Sequence, residues 1–394
     1  MPPGGTASPY RHPTSLVRHS VGPVTGRHGG SADAGYPSVE IDTVVIGAGQ
    51  AGLSSAYFLR HFGLTDFVVL DANATPGGAW RHRSPTLSMA EVHGIFDLPA
   101  FPFDSADRRG TDSAADAVSA YFAAYEQRLS FPVVRPVTVR SVQRDGDRLV
   151  VRGSEKATEW SARAVINATG TWTRPHWPYY PGASDFQGRQ LHYSDYRGPQ
   201  EFAGRRVVVV GGGNSAVHAL SDLAGVAAQT IWVTRRPPVF RDGEFTADTG
   251  RAVVAEVDAR VRAGLPPQSV VSVTGLGYTS VVRTALAKGA LHRLPMFARI
   301  TANGVEWADG TTTEADVILW CTGFRAALDH LAPLKLREPG GGIRMDGTRV
   351  LAEPRLHLVG YGPSASTVGA NRAGREAARQ IRDLLRTPDP VAAR

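Results

Sequence analysis

The chain has 394 residues, 42% hydrophobic and 20% charged, with a formal net charge of +7. That balance fits a globular protein of two or three domains, and no apolar run approaches the roughly 18 residues a membrane span needs. A single cysteine, Cys321, excludes an intrachain disulfide, a cysteine metal centre and the redox-active pair of a disulfide reductase, and it suits a reducing cytoplasm. The basic excess is almost entirely arginine, with lysine only at Lys156, Lys288 and Lys335. It forms neither a block of like charges nor a basic–aromatic motif, so nucleic acid is not an expected partner, and no metal is expected.

Residues 1–39 are rich in Gly, Pro, Ser, His and Arg without hydrophobic periodicity. They read as a disordered N-terminal extension, and no apolar signal-peptide core occurs among them. The run Asp42–Ile46 then predicts a buried parallel strand. It leads into Gly47-Ala48-Gly49-Gln50-Ala51-Gly52, followed by a helical period and a second strand, Phe67–Leu70, which ends on Asp71. This is the G-x-G-x-x-G arrangement of a dinucleotide site. The first glycine makes the tight turn, the second admits a pyrophosphate, and the third lets helix and strand pack closely. The helix N-terminus then favours phosphate, and Asp71 is placed to accept hydrogen bonds from ribose hydroxyls.

Pro76-Gly77-Gly78-Ala79-Trp80-Arg81 follows, where Trp80 either walls a planar ring or joins the core. Residues 83–103 form a Pro- and aromatic-punctuated loop of the kind that lines substrate pockets. An amphipathic helix is predicted over Ser113–Arg128, then strands at Val133–Val134, Val137–Val139, Arg148–Arg152 and Ala164–Ile166. The last runs into Asn167-Ala168-Thr169-Gly170, after which Pro175, Pro178 and Pro181 stiffen an extended connector between domains.

Beyond the connector the opening unit repeats. Strand Arg206–Val210 enters Gly211-Gly212-Gly213-Asn214-Ser215-Ala216, a helix follows, and strand Thr230–Thr234 ends on Arg235-Arg236. First glycine to terminal charge spans 24 positions in both units, but the charge has changed sign. A carboxylate suits free ribose hydroxyls, whereas an arginine pair favours a 2′-phosphate, so the second site should prefer NADPH to NADH. Later segments predict helices at Val253–Val261 and Thr279–Ala287, a loop at Gly264–Gly277, a hairpin around Ala308-Asp309, and a strand Ala315–Trp320 into Cys321-Thr322-Gly323. A final strand, Leu356–Val359, meets Gly360 and a long Arg-rich helix over Gly369–Leu385, placed to return to the first domain.

With Phe186, Gly188, His192 and Tyr196 matching F-x-G-x-x-x-H-x-x-x-Y between the two units, the chain resembles the flavin-containing monooxygenases. The Gly78–Arg81 segment, Trp320–Ala332 and Leu358–Gly362 look like a bacterial branch associated with arsenic resistance. The resemblance implies an α/β fold of two Rossmann-like dinucleotide-binding domains, the second inserted into the first. The FAD domain would be 40–175 with 321–394, and the NADPH domain 176–320. It implies FAD on Gly47, Gly49, Gln50, Ala51, Gly52, Asp71, Gly78, Ala79, Trp80, Val137, Thr169, Gly170 and Gly360. NADPH would lie on Gly211, Gly213, Asn214, Ser215, Ala216, Arg235, Arg236, Cys321, Thr322 and Gly323. The implied reaction uses O₂ to oxygenate a small nucleophile with an N, S or As centre through a C4a-hydroperoxyflavin.

One departure stands out. The family commonly has an asparagine after the Gly-Gly-x-Trp segment, and this chain has none between Asn73 and Asn167. Ser88 or His93 is a candidate replacement. Without one, the alternative is an NADPH oxidase or reductase that inserts no oxygen; a non-catalytic flavin sensor is a third reading. His192 and Tyr196 either take part in catalysis or brace the connector.

Overall fold

The computed structural model describes residues 38–386 apart from 93–94, 105–109, 155–158, 242–246 and 269–274. The expected extension over 1–39 therefore lies outside the described residues up to 37, while Ser38 and Val39 already belong to the first strand.

The chain first lays down β1 (Ser38–Ile46), α1 (Gln50–His61), β2 (Phe67–Leu70), α2 (Ala114–Leu129), β3 (Val133–Val134), β4 (Val139–Asp145), β5 (Arg148–Gly153) and β6 (Glu159–Asn167). It then crosses to β7 (Arg189–His192), β8 (Arg206–Val210), α3 (Asn214–Leu223), β9 (Gln229–Val233), β10 (Phe240–Arg241), α4 (Ala247–Arg262), β11 (Leu276–Gly277), α5 (Ser280–Ala287) and β12 (Arg293–Leu294). A small antiparallel sheet of β13 (Arg299–Thr301), β14 (Gly304–Glu306) and β15 (Thr312–Glu314) precedes β16 (Val317–Trp320). The chain finally returns with β17 (Met345–Asp346), β18 (Arg349–Val350), β19 (Glu353–Leu358) and α6 (Thr367–Arg386).

The two large sheets share one plan. In the first, the parallel order is β3-β2-β1-β6-β19, with the β4–β5 meander paired to the start of β6 and β18–β17 beyond β19. In the second it is β12-β9-β8-β16-β7, parallel throughout. Each central strand buries both faces, as a parallel strand covered by helices on one side must. Val45 of β1 joins the core formed with Leu53, Ala56 and Ile381, while Val44 and Ile46 face Leu149, Leu331 and Leu356. In β8, Val207 and Val209 pack with Leu220 and Val282, and Val208 and Val210 pack with Ile300 and Val305. Because β19 and α6 complete the first sheet and its core, the second Rossmann-like domain is inserted into the first.

Two local expectations are corrected. Val137 and Thr138 are not strand: after the cis Arg135–Pro136 bond, the Val137 N–H donates to the Asp71 carbonyl at 2.7 Å, carrying the chain past the end of β2. Leu276–Gly277, expected as loop, pairs in parallel with Phe240–Arg241. No helix of the described residues is long and apolar enough to cross a membrane.

Two buried histidines make the first domain acid-sensitive. His330 Nε2 lies 2.7 Å from Asn167 Oδ1 at the end of β6, and burial pushes its imidazole down to about 4. His357, 3.0 Å from the Thr348 hydroxyl, is pushed down to about 3 by burial and then by Arg349. Their unfolded counterparts take up protons near the ordinary imidazole value of 6.5, so the unfolded state binds more protons below that pH. Stability should fall as pH drops from 6.5 towards 4. Thermal melts across this window should show the midpoint decreasing, and His330→Gln should make the slope shallower; a midpoint independent of pH would contradict the assignment.

Candidate active site

Both glycine turns are held by close backbone approaches that no side chain would allow. A Cβ on Gly47 would lie 2.6 Å from the Ala168 carbonyl oxygen, and one on Gly52 would lie 1.8 Å from the Gly47 carbonyl oxygen. The second turn repeats the contact, with Gly211 against the Cys321 carbonyl oxygen at 2.3 Å. In each turn the middle glycine is different. Gly49 would meet only the Gly78 Cα, at 3.9 Å, and Gly213 would meet nothing within 4 Å. The chain itself needs the outer glycines, and the middle ones leave room for a ligand backbone.

The helices that follow start without side-chain caps. Gly49 and Gly213 are the N-cap residues of α1 and α3, and neither helix has an acidic residue in its first turn. By contrast, the Thr279 hydroxyl caps α5, accepting from Val282 N–H at 3.2 Å. Uncapped N–H groups at a helix N-terminus favour an anion such as a phosphate. The residues present therefore fit a dinucleotide at each turn.

The strand ends carry the predicted opposite charges. Asp71 is buried at the end of β2, where its carboxylate accepts from Ala48 N–H at 3.1 Å and from the Asn73 backbone and side-chain N–H groups at 2.8 and 3.0 Å. Arg135 lies 3.5 Å from it and is itself fixed by Glu126 at 2.6 and 2.9 Å. Of the roughly four lone-pair positions of a carboxylate, few are left for a ribose. Sequence reasoning missed Asn73 and Arg135 because both reach Asp71 from loops.

Arg235 and Arg236 stand exposed at the end of β9. A third arginine, Arg325, comes from the crossover after β16. His176 is held below its ordinary value first by burial, then by the Arg325 and Arg235 charges, so both arginines act on this histidine. The connector folds back onto the crossover after β16: the His176 N–H donates to the Gly323 carbonyl at 2.9 Å, and the Arg325 N–H donates to the Arg174 carbonyl at 2.8 Å.

The other expected residues fall close to the two turns. Gly360, after β19, packs its Cα against Ala51, where an added Cβ would stand 3.4 Å from the Ala51 Cβ. Gln50 donates to Asn371 Oδ1 on α6 at 2.9 Å, tying the first turn to the C-terminal helix. Gly78 touches Gly49, since a Cβ on Gly78 would lie 2.7 Å from the Gly49 Cα, and Ala79 is exposed beside it. Thr169 donates its hydroxyl to the Ala327 carbonyl at 2.7 Å, and the Ala327 N–H donates to the Gly170 carbonyl at 2.9 Å. Cys321 is buried, and burial alone pushes its thiol up, so it is inert. Thr322 donates its hydroxyl to the His176 carbonyl.

A cavity of about 180 Å³ opens where Trp80, Arg83 and Val92 of the first domain face Asn214, Ser215 and His218 of the second. Trp80 thus does both: it lines this cavity and, half-buried, packs against the first-domain core. Behind it a run of stacked rings joins the domains: Trp172 lies 4.8 Å from Phe324, which meets His192 edge-on at 5.0 Å.

The catalytic candidates divide. His192 is fully buried; its Nε2 bonds the Gly323 carbonyl at 3.0 Å, and its Nδ1 accepts from Ser194 N–H at 3.1 Å. Burial, more than any neighbour, lowers its pKa. Tyr196 is equally buried and donates to Asp222 at 3.0 Å, with its pKa raised first by burial and then by that carboxylate. The Thr86 hydroxyl donates to the same Asp222 oxygen at 2.8 Å, so these groups sit at a joint between domains. Ser88 donates both its N–H and hydroxyl to Glu91, at 2.9 and 2.7 Å. His93 lies outside the described residues.

The comparisons with known proteins agree with this geometry. Residues 44–282 match the family model described as pyridine nucleotide-disulphide oxidoreductase. A flavin-containing monooxygenase from Stenotrophomonas maltophilia is 39% identical, with a TM-score of 0.76 over 88% of this chain and 99% of that one. Indole-3-pyruvate monooxygenase YUCCA4 from Oryza sativa subsp. japonica is 27% identical over 89% of this chain and 92% of its own. Cyclohexanone monooxygenase, 19% identical with a TM-score of 0.62 over 90% of this chain and 91% of that one, shares the fold. The chain belongs to the flavin monooxygenases of the pyridine nucleotide-disulphide oxidoreductase family, the enzymes that use FAD and NADPH.

Proposed function

We propose that this flavin monooxygenase binds FAD at the Gly47 turn and NADPH at the Gly211 turn, and oxygenates a small nucleophile at an N, S or As centre. The observation that carries the reading is the pairing of two uncapped glycine-turn helices, one followed by a strand that ends on a buried Asp71 and the other by a strand that ends on exposed Arg235 and Arg236. The FAD part is residues 40–175 with 321–394 and the NADPH part 176–320. When bound, FAD supplies the redox chemistry, taking a hydride from NADPH and activating O₂.

The chain's own contribution is binding, orientation and exclusion of water. Gly49 and the α1 N-terminus receive the FAD diphosphate, with Gln50, Ala51, Asp71, Gly78, Trp80, Val137, Thr169, Gly170 and Gly360 around it. Asn214, Ser215 and Ala216 receive the NADPH diphosphate, next to Gly213, Arg236 and the Cys321–Gly323 crossover. His192 and Tyr196, whose polar atoms are all engaged inside the protein, hold the joint between the two parts.

A second reading has its own support. Ser88 is committed to Glu91, and no asparagine lies between Asn73 and Asn167, so neither the family's usual asparagine nor Ser88 supplies a free group there. An NADPH oxidase would fit that arrangement. The two readings are separated by measuring oxygenated product and hydrogen peroxide per NADPH consumed, with thioether, amine, thiol, trivalent arsenic and 2-oxo acid substrates. The monooxygenase reading expects product to approach the NADPH consumed with at least one of them. Peroxide equal to NADPH with all five would decide for the oxidase.

A further inference from the structure

The inter-domain cavity is lined by two side chains, Arg83 and His218, that each have a buried nitrogen without a hydrogen-bond partner. Arg83 sits with its guanidinium carbon 4.6 Å from the Trp172 ring and 5.4 Å from the Trp80 ring. Its Nε is sealed from solvent without a hydrogen-bond partner, and no carboxylate among the described residues pairs with it. Other arginines of the first domain do find acids: half-buried Arg135 has Glu126, and half-buried Arg355 shares Glu353 with exposed Arg144. An arginine held against two indoles with no counter-ion is a receptor for an oxyanion, carboxylate or phosphate.

His218, on α3, is the second donor. It is only 4% exposed, and its Nδ1 meets the Tyr193 hydroxyl at 3.0 Å. Asp222 stands 3.8 Å from the same nitrogen, too far to bond it. In the tautomer in which the Tyr193 O–H donates to Nδ1, the imidazole proton sits on Nε2, and that atom has no partner. A buried donor left unmade is costly, so a ligand that completes it is favoured. Glu91 also lines the cavity, but its carboxylate already accepts both Ser88 donors at 2.9 and 2.7 Å.

We propose that Arg83 and His218 form an oxyanion subsite across the domain boundary, with the uncapped N-terminus of α3 beside it. This deepens the function proposed above and rests on its placing of NADPH at the second turn. One chemistry, a resonance-stabilised oxyanion, has two sources here: the dinucleotide diphosphate or a carboxylate on the substrate.

Isothermal titration of the flavin-loaded protein with NADP⁺ and, separately, with benzoate distinguishes them. Arg83→Gln should weaken binding of one probe by about 10-fold or more, the scale of a lost charge-assisted hydrogen bond. A loss confined to NADP⁺ identifies the diphosphate, and a loss confined to benzoate identifies a carboxylate. Arg83→Lys, which keeps the charge, should retain most of the affinity, and His218→Gln should weaken the same probe as Arg83→Gln. Unchanged affinity for both probes in Arg83→Gln, or an equal loss in Arg83→Lys, would overturn the subsite. Flavin retention and NADP⁺ binding by the wild type report on the underlying functional reading independently.

Discussion

Gly49→Ala should purify as a folded protein without flavin, whereas Gly52→Ala should lose both flavin and fold. The two positions lie three residues apart in one turn, yet the structure asks different things of them. Gly52 faces the Gly47 carbonyl oxygen at a distance where a Cβ would stand 1.8 Å away, and the blocking atom is backbone that cannot rotate aside. Relief would require α1 to move off β1, opening the core that Leu53 and Ala56 share with Val45. A loss of more than about 4 kcal/mol is the scale of such an overpacking, a large part of a typical domain's stability. Gly49 has φ −85° and ψ −170°, extended backbone that alanine adopts without strain, and its nearest foreign atom would be 3.9 Å from a Cβ. Nothing in the protein's own packing therefore requires glycine at this position. Thermal melting with the flavin-to-protein absorbance ratio reads both effects. A Gly49→Ala protein that retains FAD at the wild-type ratio would remove the assignment of this turn to the flavin.

Arg235→Ala should reduce the preference for NADPH over NADH by roughly 10- to 150-fold, as expected for one charge-assisted hydrogen bond of about 1.5–3 kcal/mol. The loss should appear in kcat/KM for NADPH and leave NADH almost unaffected, because only the 2′-phosphate distinguishes the two. Arg325→Ala should shift the ratio in the same direction. The Arg325 and Arg235 charges both act on His176, so Arg325 adds to the positive field that Arg235 sets up there. Steady-state kinetics with both dinucleotides measures the ratio directly. An Arg235→Ala enzyme with the wild-type ratio would contradict the reading of the charge reversal between Asp71 and Arg235.

The charge reversal was legible because it depends on short-range patterns. β-Branched runs such as Val207–Val210 admit little but a buried parallel strand, and glycine at Gly47, Gly52 and Gly211 reports a backbone approach that no other residue permits. The amino-acid sequence by itself therefore determined the two βαβ units, their order and the sign at each strand end. It also placed the final strand and helix back in the first domain. It could not show how loops meet. Whether Val137 is strand depended on a hydrogen bond to Asp71 from a segment sixty-odd residues away in the chain, and whether His192 is free depended on the Gly323 carbonyl. Tertiary structure alone decided that the connector folds back onto the Gly323–Arg325 crossover, that Asn73 and Arg135 engage Asp71, and that Arg83 and His218 line one cavity from different domains. The reason is physical: periodicity and turn chemistry are set by residues a few positions apart, while the partner of a buried charge is set by whichever distant segment the packed core brings beside it.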